Sequence, residues 1–194
     1  MQMKKMLAVA VLGVCTLGAT AQMGGAPSLG AVGTPADPAK AINIMLTIFE
    51  HEAMGVAKTM PAEKYSFAPT HAIFAPTQGE KFDTVRTFGQ QVAHVAQANY
   101  YFFMTISGMK PDVDMKALEK MTGKEEAVAA LAGSFAFGHK AVATITAENA
   151  FTVIKGADGL DTRATLATFA VAHGYDHYGQ MVEYLRMNGL VPPQ

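Results

Sequence analysis

The chain reads as an all-α protein, a four-helix bundle behind an N-terminal leader. Three observations predict this. Four long segments repeat apolar residues every three or four positions, the spacing of one helical face. Each is bounded by the capping residues, prolines and glycines that start and stop helices. No segment alternates apolar and polar residues as a half-buried strand would, and no internal repeat occurs. The 194 residues are half hydrophobic, so a sizeable core is available in one domain with or without a tail. Four amphipathic helices bury their stripes against each other, and metal sites in such bundles come from side chains on facing helices.

Residues 1–21 are excluded from the fold. Lys4 and Lys5 precede an apolar run from Met6 to Leu17, and Ala19-Thr20-Ala21 offers a small-residue cleavage site before Gln22. That order is a secretory signal peptide, too short to span a bilayer comfortably. The expected product is exported, periplasmic or secreted. Cleavage removes Cys15, the sole cysteine, so the mature chain has no disulfide, thiol nucleophile or thiolate ligand. A transition metal would then need His, Asp or Glu. Loss of Lys4 and Lys5 takes the formal charge from −1 to −3. Residues 22–36 are rich in Gly, Ala, Pro and Ser and are expected to form a flexible tether.

The domain is expected over residues 37–194. Asp37 caps the first helix and Pro38 suits its first position. Ile42, Met45, Leu46, Phe49, Ala53 and Val56 form its stripe, and Pro61 stops it. Residues 61–82 are broken by Pro61, Pro69, Pro76 and Gly79 and read as a long connection that covers a site or forms a lid, with Tyr65, Phe67 and Phe74 available to pack. Asp83 or Thr84 is expected to cap the second helix, which carries Val85, Phe88, Val92, Val95, Ala96, Phe102, Phe103 and Ile106 and ends at Gly108. Gly89 inside it points to a close helix contact. A short turn is expected at Val113–Leu118. Thr122 and Glu125 have the spacing of a capping box for the third helix, which runs to about Thr146 with Val128, Leu131, Phe135, Ala141 and Val142 inward. Residues 148–160 read as a loop closing with Gly156-Ala157-Asp158-Gly159. Asp161 or Thr162 caps the fourth helix, and Asn188-Gly189 ends it.

The fourth helix carries the most informative residues. Its stripe of Leu166, Phe169, Ala170, Met181, Tyr184 and Leu185 is interrupted by His173 and His177. Residues four apart lie on one face, one turn above the other, and two imidazoles so placed can grip one metal ion. They can equally be ordinary core histidines with hydrogen-bond partners. His94 sits at the edge of the second helix's apolar face, where a lone histidine is usually structural. His51 is a spare ligand candidate, and His71 is expected to be exposed. No basic run interleaved with aromatics points to nucleic acid.

Thr87-Phe88-Gly89-Gln90-Gln91-Val92-Ala93-His94-Val95 with Asn99, His173-Gly174-Tyr175-Asp176-His177-Tyr178-Gly179-Gln180, and Tyr184-Leu185-Arg186-Met187-Asn188-Gly189-Leu190-Val191-Pro192-Pro193 together resemble the DinB-like (damage-inducible) superfamily. The first helix, ending before Pro61-Ala62-Glu63-Lys64-Tyr65, is similar to that family's opening helix, so the resemblance covers roughly residues 38–193. It implies a four-helix bundle that binds a divalent metal, zinc or nickel, through one histidine of the second helix and two of the fourth. Those positions fall on His94, His173 and His177. The better-characterised relatives are cytoplasmic and use low-molecular-weight thiols as S-transferases or as a maleylpyruvate isomerase; the signal peptide is a departure from them.

The function implied is that of a metal-dependent enzyme, catalysing hydrolysis or thiol-dependent transfer on an unknown small molecule. The alternative is a metal-binding or stress-related binding protein without catalysis. Glu50, His51 and Glu183 are acid–base candidates by residue type, and Asn99, Asp176, Tyr178 and Gln180 are candidates to support the ligands. The expected partners are a small-molecule substrate and, as candidate assembly, a homodimer. No nucleic acid and no stable membrane insertion after leader removal are expected.

Overall fold

A computed structural model describes residues 28–73, 79, 82, 84–157 and 159–193. The expected signal peptide and residues 22–27 of the expected tether lie outside the described residues, as do Phe74, Pro76, Asp83 and Asp158. Residues 28–36 form an exposed run of turns and bends before the first helix.

The helix α1 spans Pro38–Thr59. Asp37 Oδ1 accepts from the Ala39 N–H at 2.9 Å and so satisfies one of the free donors of the first turn. The helix α2 spans Phe88–Ser107. Its cap is Thr87 rather than Asp83 or Thr84: the Thr87 hydroxyl accepts from Gln90 N, and Gln90 Oε1 accepts from Thr87 N. This reciprocal pair outcompetes the upstream candidates because Phe88 N and Gly89 N are already spent on the carbonyls of Phe67 and Tyr65. A short α3 covers Met115–Leu118.

The helix α4 spans Lys124–Val142, ending sooner than the expected Thr146. Gly123 is its cap, and Glu126, not Glu125, accepts from the backbone N–H groups of Thr122 and Gly123. The helix α5 spans Arg163–Met187 behind a Thr162–Thr165 cap. It ends as expected: Asn188 is the last half-turn, and Gly189 takes φ of 73°, a left-handed conformation that glycine adopts without a Cβ penalty.

The expected loop at 148–160 contains a hairpin, with β1 (Val153–Ala157) antiparallel to β2 (Leu160–Thr162). Its alternation is invisible in the sequence because the inward positions of β1 hold Ile154 and Gly156, and glycine contributes no apolar signal.

The helix α2 packs on α4 and α5, and α1 packs on the same two, so α1 and α2 face each other across a diagonal. Leu46, Phe49, Phe88, Val92, Phe103, Leu131, Phe135, Leu166 and Leu185 fill the middle and are almost wholly buried. Two stripe residues are not core: Met45 and Phe169 are 47% and 39% exposed. The close contact at Gly89 is with the loop before α4, since a Cβ there would strike the Thr122 carbonyl. Gly174 is the helix–helix contact instead, because a Cβ on it would overlap the Phe49 ring. Polar ties lock the ends. Lys124 Nζ donates to the carbonyls of Lys58 and Met60, closing the end of α1, and Arg163 Nε donates to Ile106 O beside the end of α2. No helix among the described residues is long and apolar enough to cross a membrane.

Candidate metal centre

The seam between α2 and α5 brings His94, His173 and His177 together. One nitrogen from each ring lies within 4.8 Å of the others. The ring centroids of His94 and His177 are 4.5 Å apart, those of His173 and His177 4.7 Å, and those of His94 and His173 5.5 Å. All three pairs meet edge to face. The i,i+4 spacing on α5 stacks two of them, and the facing position on α2 supplies the third.

Their surroundings hold them neutral. Burial is the largest cause lowering His94 and His177, each to about 4, and it also lowers His173. Removing an imidazolium from water is unfavourable, so the neutral form wins. The Arg86 guanidinium pushes all three the same way, and the rings disfavour each other's charge at His94 and His177. Asp176 opposes this at His173 and His177 without overcoming it.

A polar chain sets which nitrogen of His177 carries the proton. The Asp176 carboxylate can only accept, so Gln180 turns its Nε2 toward it, at 3.3 Å. Gln180 Oε1 then accepts from Gln91 Nε2 at 2.7 Å, which leaves Gln91 Oε1 facing His177 Nδ1 at 2.8 Å. His177 therefore donates from Nδ1, and its Nε2 lone pair is free. Gln91 is 2% exposed, so this support is dry. Near His94, Gln97 Nε2 donates to Glu119 Oε1 at 2.7 Å. His173 packs against the rings of Phe102 and Phe169.

Three neutral imidazoles, with the tautomer of His177 fixed, fit a divalent ion of the kind nitrogen ligands prefer. Beside His94 the surface opens into a cleft of about 440 Å³, lined among others by Val85, Arg86, Ala93, Gln97 and Glu119. One member of the trio, His94, thus lines a space that a small molecule can enter.

A DinB superfamily model matches residues 34–181, a stretch containing all three histidines. The chain belongs to the DinB superfamily. Its fold is similar to the crystal structure of a DinB-like protein from Bacillus cereus ATCC 10987, with a TM-score of 0.64 at 15% identity, over 80% of this chain and 95% of that one. At that identity the likeness concerns the fold. No curated protein matches the chain.

The other histidines of this DinB-superfamily chain stand apart. His51 is exposed on α1, and His139 is engaged by Asn43 and Glu50 between α1 and α4. Only the backbone of His71 is described, in a short turn at His71–Ile73. Of the supporting candidates, Asp176 and Gln180 belong to the polar chain. Asn99 does not: it donates to Ser134 Oγ at 3.1 Å within the α2–α4 seam. Tyr178 packs against Tyr175. Among the acid–base candidates, Glu50 is tied to His139, and Glu183 pairs with Arg186 on the exposed face of α5. The carboxylate in the cleft is Glu119, which sequence reasoning missed. Gln91 was missed as a support too, because its partner His177 lies on another helix and no spacing within α2 points to it.

Proposed function

We propose that the protein is an exported metal-dependent enzyme. Its divalent ion, zinc or nickel, is held by His94, His173 and His177 and acts on a small molecule in the cleft beside His94. The observation carrying this reading is the trio itself: one buried and two half-buried imidazoles, held neutral, converging beside an open cleft, with the tautomer of His177 fixed by a buried amide. When bound, such an ion supplies Lewis acidity and an open coordination position. The chain's own residues do the rest. Gln91 orients His177, and the aromatic wall of Phe102 and Phe169 holds His173. Glu119 is the carboxylate placed to take or return a proton at the cleft wall. Hydrolysis and thiol-dependent transfer are the two reaction classes that suit this set. Export follows from the order of Lys4/Lys5, the apolar run and Ala19-Thr20-Ala21.

Metal analysis of the native protein tests the centre, with intact mass on the same sample. The expected result is a single divalent ion per chain and an N-terminus at Gln22. Protein without bound metal that also fails to take up zinc or nickel would overturn the reading. Retained Met1 in exported material would overturn cleavage alone. A metal-loaded protein inert toward ester, amide and thiol-acceptor panels would favour a binding role.

A further inference from the structure

The cleft beside the histidines contains a cation whose purpose the metal does not explain. Arg86 lines it together with His94, and its charge is felt at His94, His173 and His177 alike. A fixed positive charge beside a cation-binding trio repels the ion it should hold. That arrangement is unfavourable unless an anion comes to lie between the two.

Resting on the metal reading above, we propose that Arg86 binds the carboxylate or phosphoryl group of a small-molecule ligand, holding it in the cleft against the ion on the three histidines. Four observations support this. The guanidinium makes no ion pair among the described residues, while Glu119, the carboxylate that shares the cleft with it, is hydrogen-bonded by Gln97. Its backbone is fixed. Arg86 O accepts from the Tyr184 hydroxyl at 3.1 Å, and Tyr184 is 5% exposed and packed on Phe67, so the backbone of Arg86, just before α2, is tied to a buried residue of α5.

The start of α2 offers no competing anion site. Phe88 N, Gly89 N and Gln90 N already donate to Phe67 O, Tyr65 O and the Thr87 hydroxyl. Arginine is therefore the cationic donor of the cleft among the described residues. Its planar fork matches the two oxygens of a carboxylate or phosphoryl group, which a neutral ligand lacks. With a divalent ion bound, the two cations outweigh the carboxylate of Glu119, and the cleft favours anions.

The test uses the full mature chain loaded with zinc, as wild type, Arg86→Gln and Arg86→Lys. Calorimetry follows zinc first, then acetate, methylphosphonate and neutral acetamide. The expected result is that at least one anion binds wild type. Arg86→Gln should weaken it about 10- to 100-fold, the range for hydrogen bonds to a charged group, and Arg86→Lys should weaken it less. Acetamide should not respond to either change. Zinc affinity should hold or rise in Arg86→Gln. Preference for acetate or methylphosphonate identifies which anion class the cleft takes. Anion affinity unchanged in Arg86→Gln, or neither anion binding wild type, overturns the inference while leaving the metal centre standing. Failure of zinc to bind wild type overturns both.

Discussion

Two seams of the bundle each present histidine, and they present it in opposite ways. Between α1 and α4, His139 is saturated: Nδ1 lies 2.6 Å from Asn43 Oδ1 and Nε2 lies 2.9 Å from Glu50 Oε2. Between α2 and α5, three rings face one another, and the one whose partners are fully defined uses a single nitrogen for hydrogen bonding. The residue type is the same; the difference is the number of polar partners around it. An imidazole with both nitrogens engaged is a structural linker, whereas one with a single engaged nitrogen has a chosen tautomer and a lone pair left for an ion.

The sharpest way to break the contrast is to remove a ring from the trio. His177→Ala should abolish tight zinc or nickel binding, with a loss beyond the roughly 10- to 100-fold typical of losing a supporting group. It should also destabilise the metal-free fold by about 1–3 kcal/mol, because Gln91 Oε1 would be left buried without a donor. His94→Ala and His173→Ala should cost comparable metal affinity with less effect on stability, since both rings are only half-buried. Calorimetric titration with parallel melting curves separates the two effects. Near wild-type zinc affinity in any of the three would remove that histidine from the centre.

Next in size is the support behind the ligand. Gln91→Leu keeps the volume but removes the acceptor that holds His177 in its tautomer. Metal affinity should fall about 10- to 100-fold. Asn99→Leu, on the same helix but bonded to Ser134, should leave metal affinity alone while lowering the melting temperature. Equal metal affinity in the two variants would show that the amide chain is packing rather than support.

That Gln91 had to be found in the structure says what a sequence can carry. The helical stripes, the caps at Asp37 and Thr162, and the glycine stop at Gly189 are local, and local spacing reported them. The three histidines were legible through the i,i+4 spacing and the family resemblance together; spacing alone left His94 looking structural. The polar chain from Asp176 through Gln180 and Gln91 crosses from α5 to α2, and no one-dimensional pattern encodes which glutamine faces which. Glu119 sits on the segment leading from α3 toward α4 and reaches the cleft only through the fold. The hairpin was lost because Gly156 occupies its inward position.

Acidification sharpens the contrast without a mutation. In the metal-free fold, His94 and His177 hold a pKa of about 4, below the ~6.5 of an unfolded chain. Between those values the unfolded state binds protons that the folded state refuses. The stabilisation is therefore complete above about 6.5 and is lost as pH falls toward 4. The metal-free protein should melt several degrees lower at pH 5 than at pH 7. His177→Gln should flatten that dependence. Zinc affinity should stay nearly level down to about pH 5, where a solvent-exposed histidine site would already lose its metal. A melting temperature independent of pH would contradict the burial of neutral rings.

The smallest effect is expected at the other seam. His139→Ala removes both hydrogen bonds that join α4 to α1, yet Glu50 is about one-third exposed and can turn to water. An ion pair so placed contributes about 0–1 kcal/mol, and the bond to Asn43 adds a similar amount. The apolar core beneath, centred on Leu46, Phe49 and Phe135, is untouched, so the bundle should remain folded with a melting temperature only a few degrees lower. Zinc affinity should match wild type, because no residue of this seam belongs to the trio or to the polar chain behind His177. Glu50→Gln should be milder still, keeping an acceptor for His139. If His139→Ala instead weakened zinc binding as His94→Ala does, the two seams would be coupled through the core. Polar saturation would then no longer separate a linker histidine from a ligand.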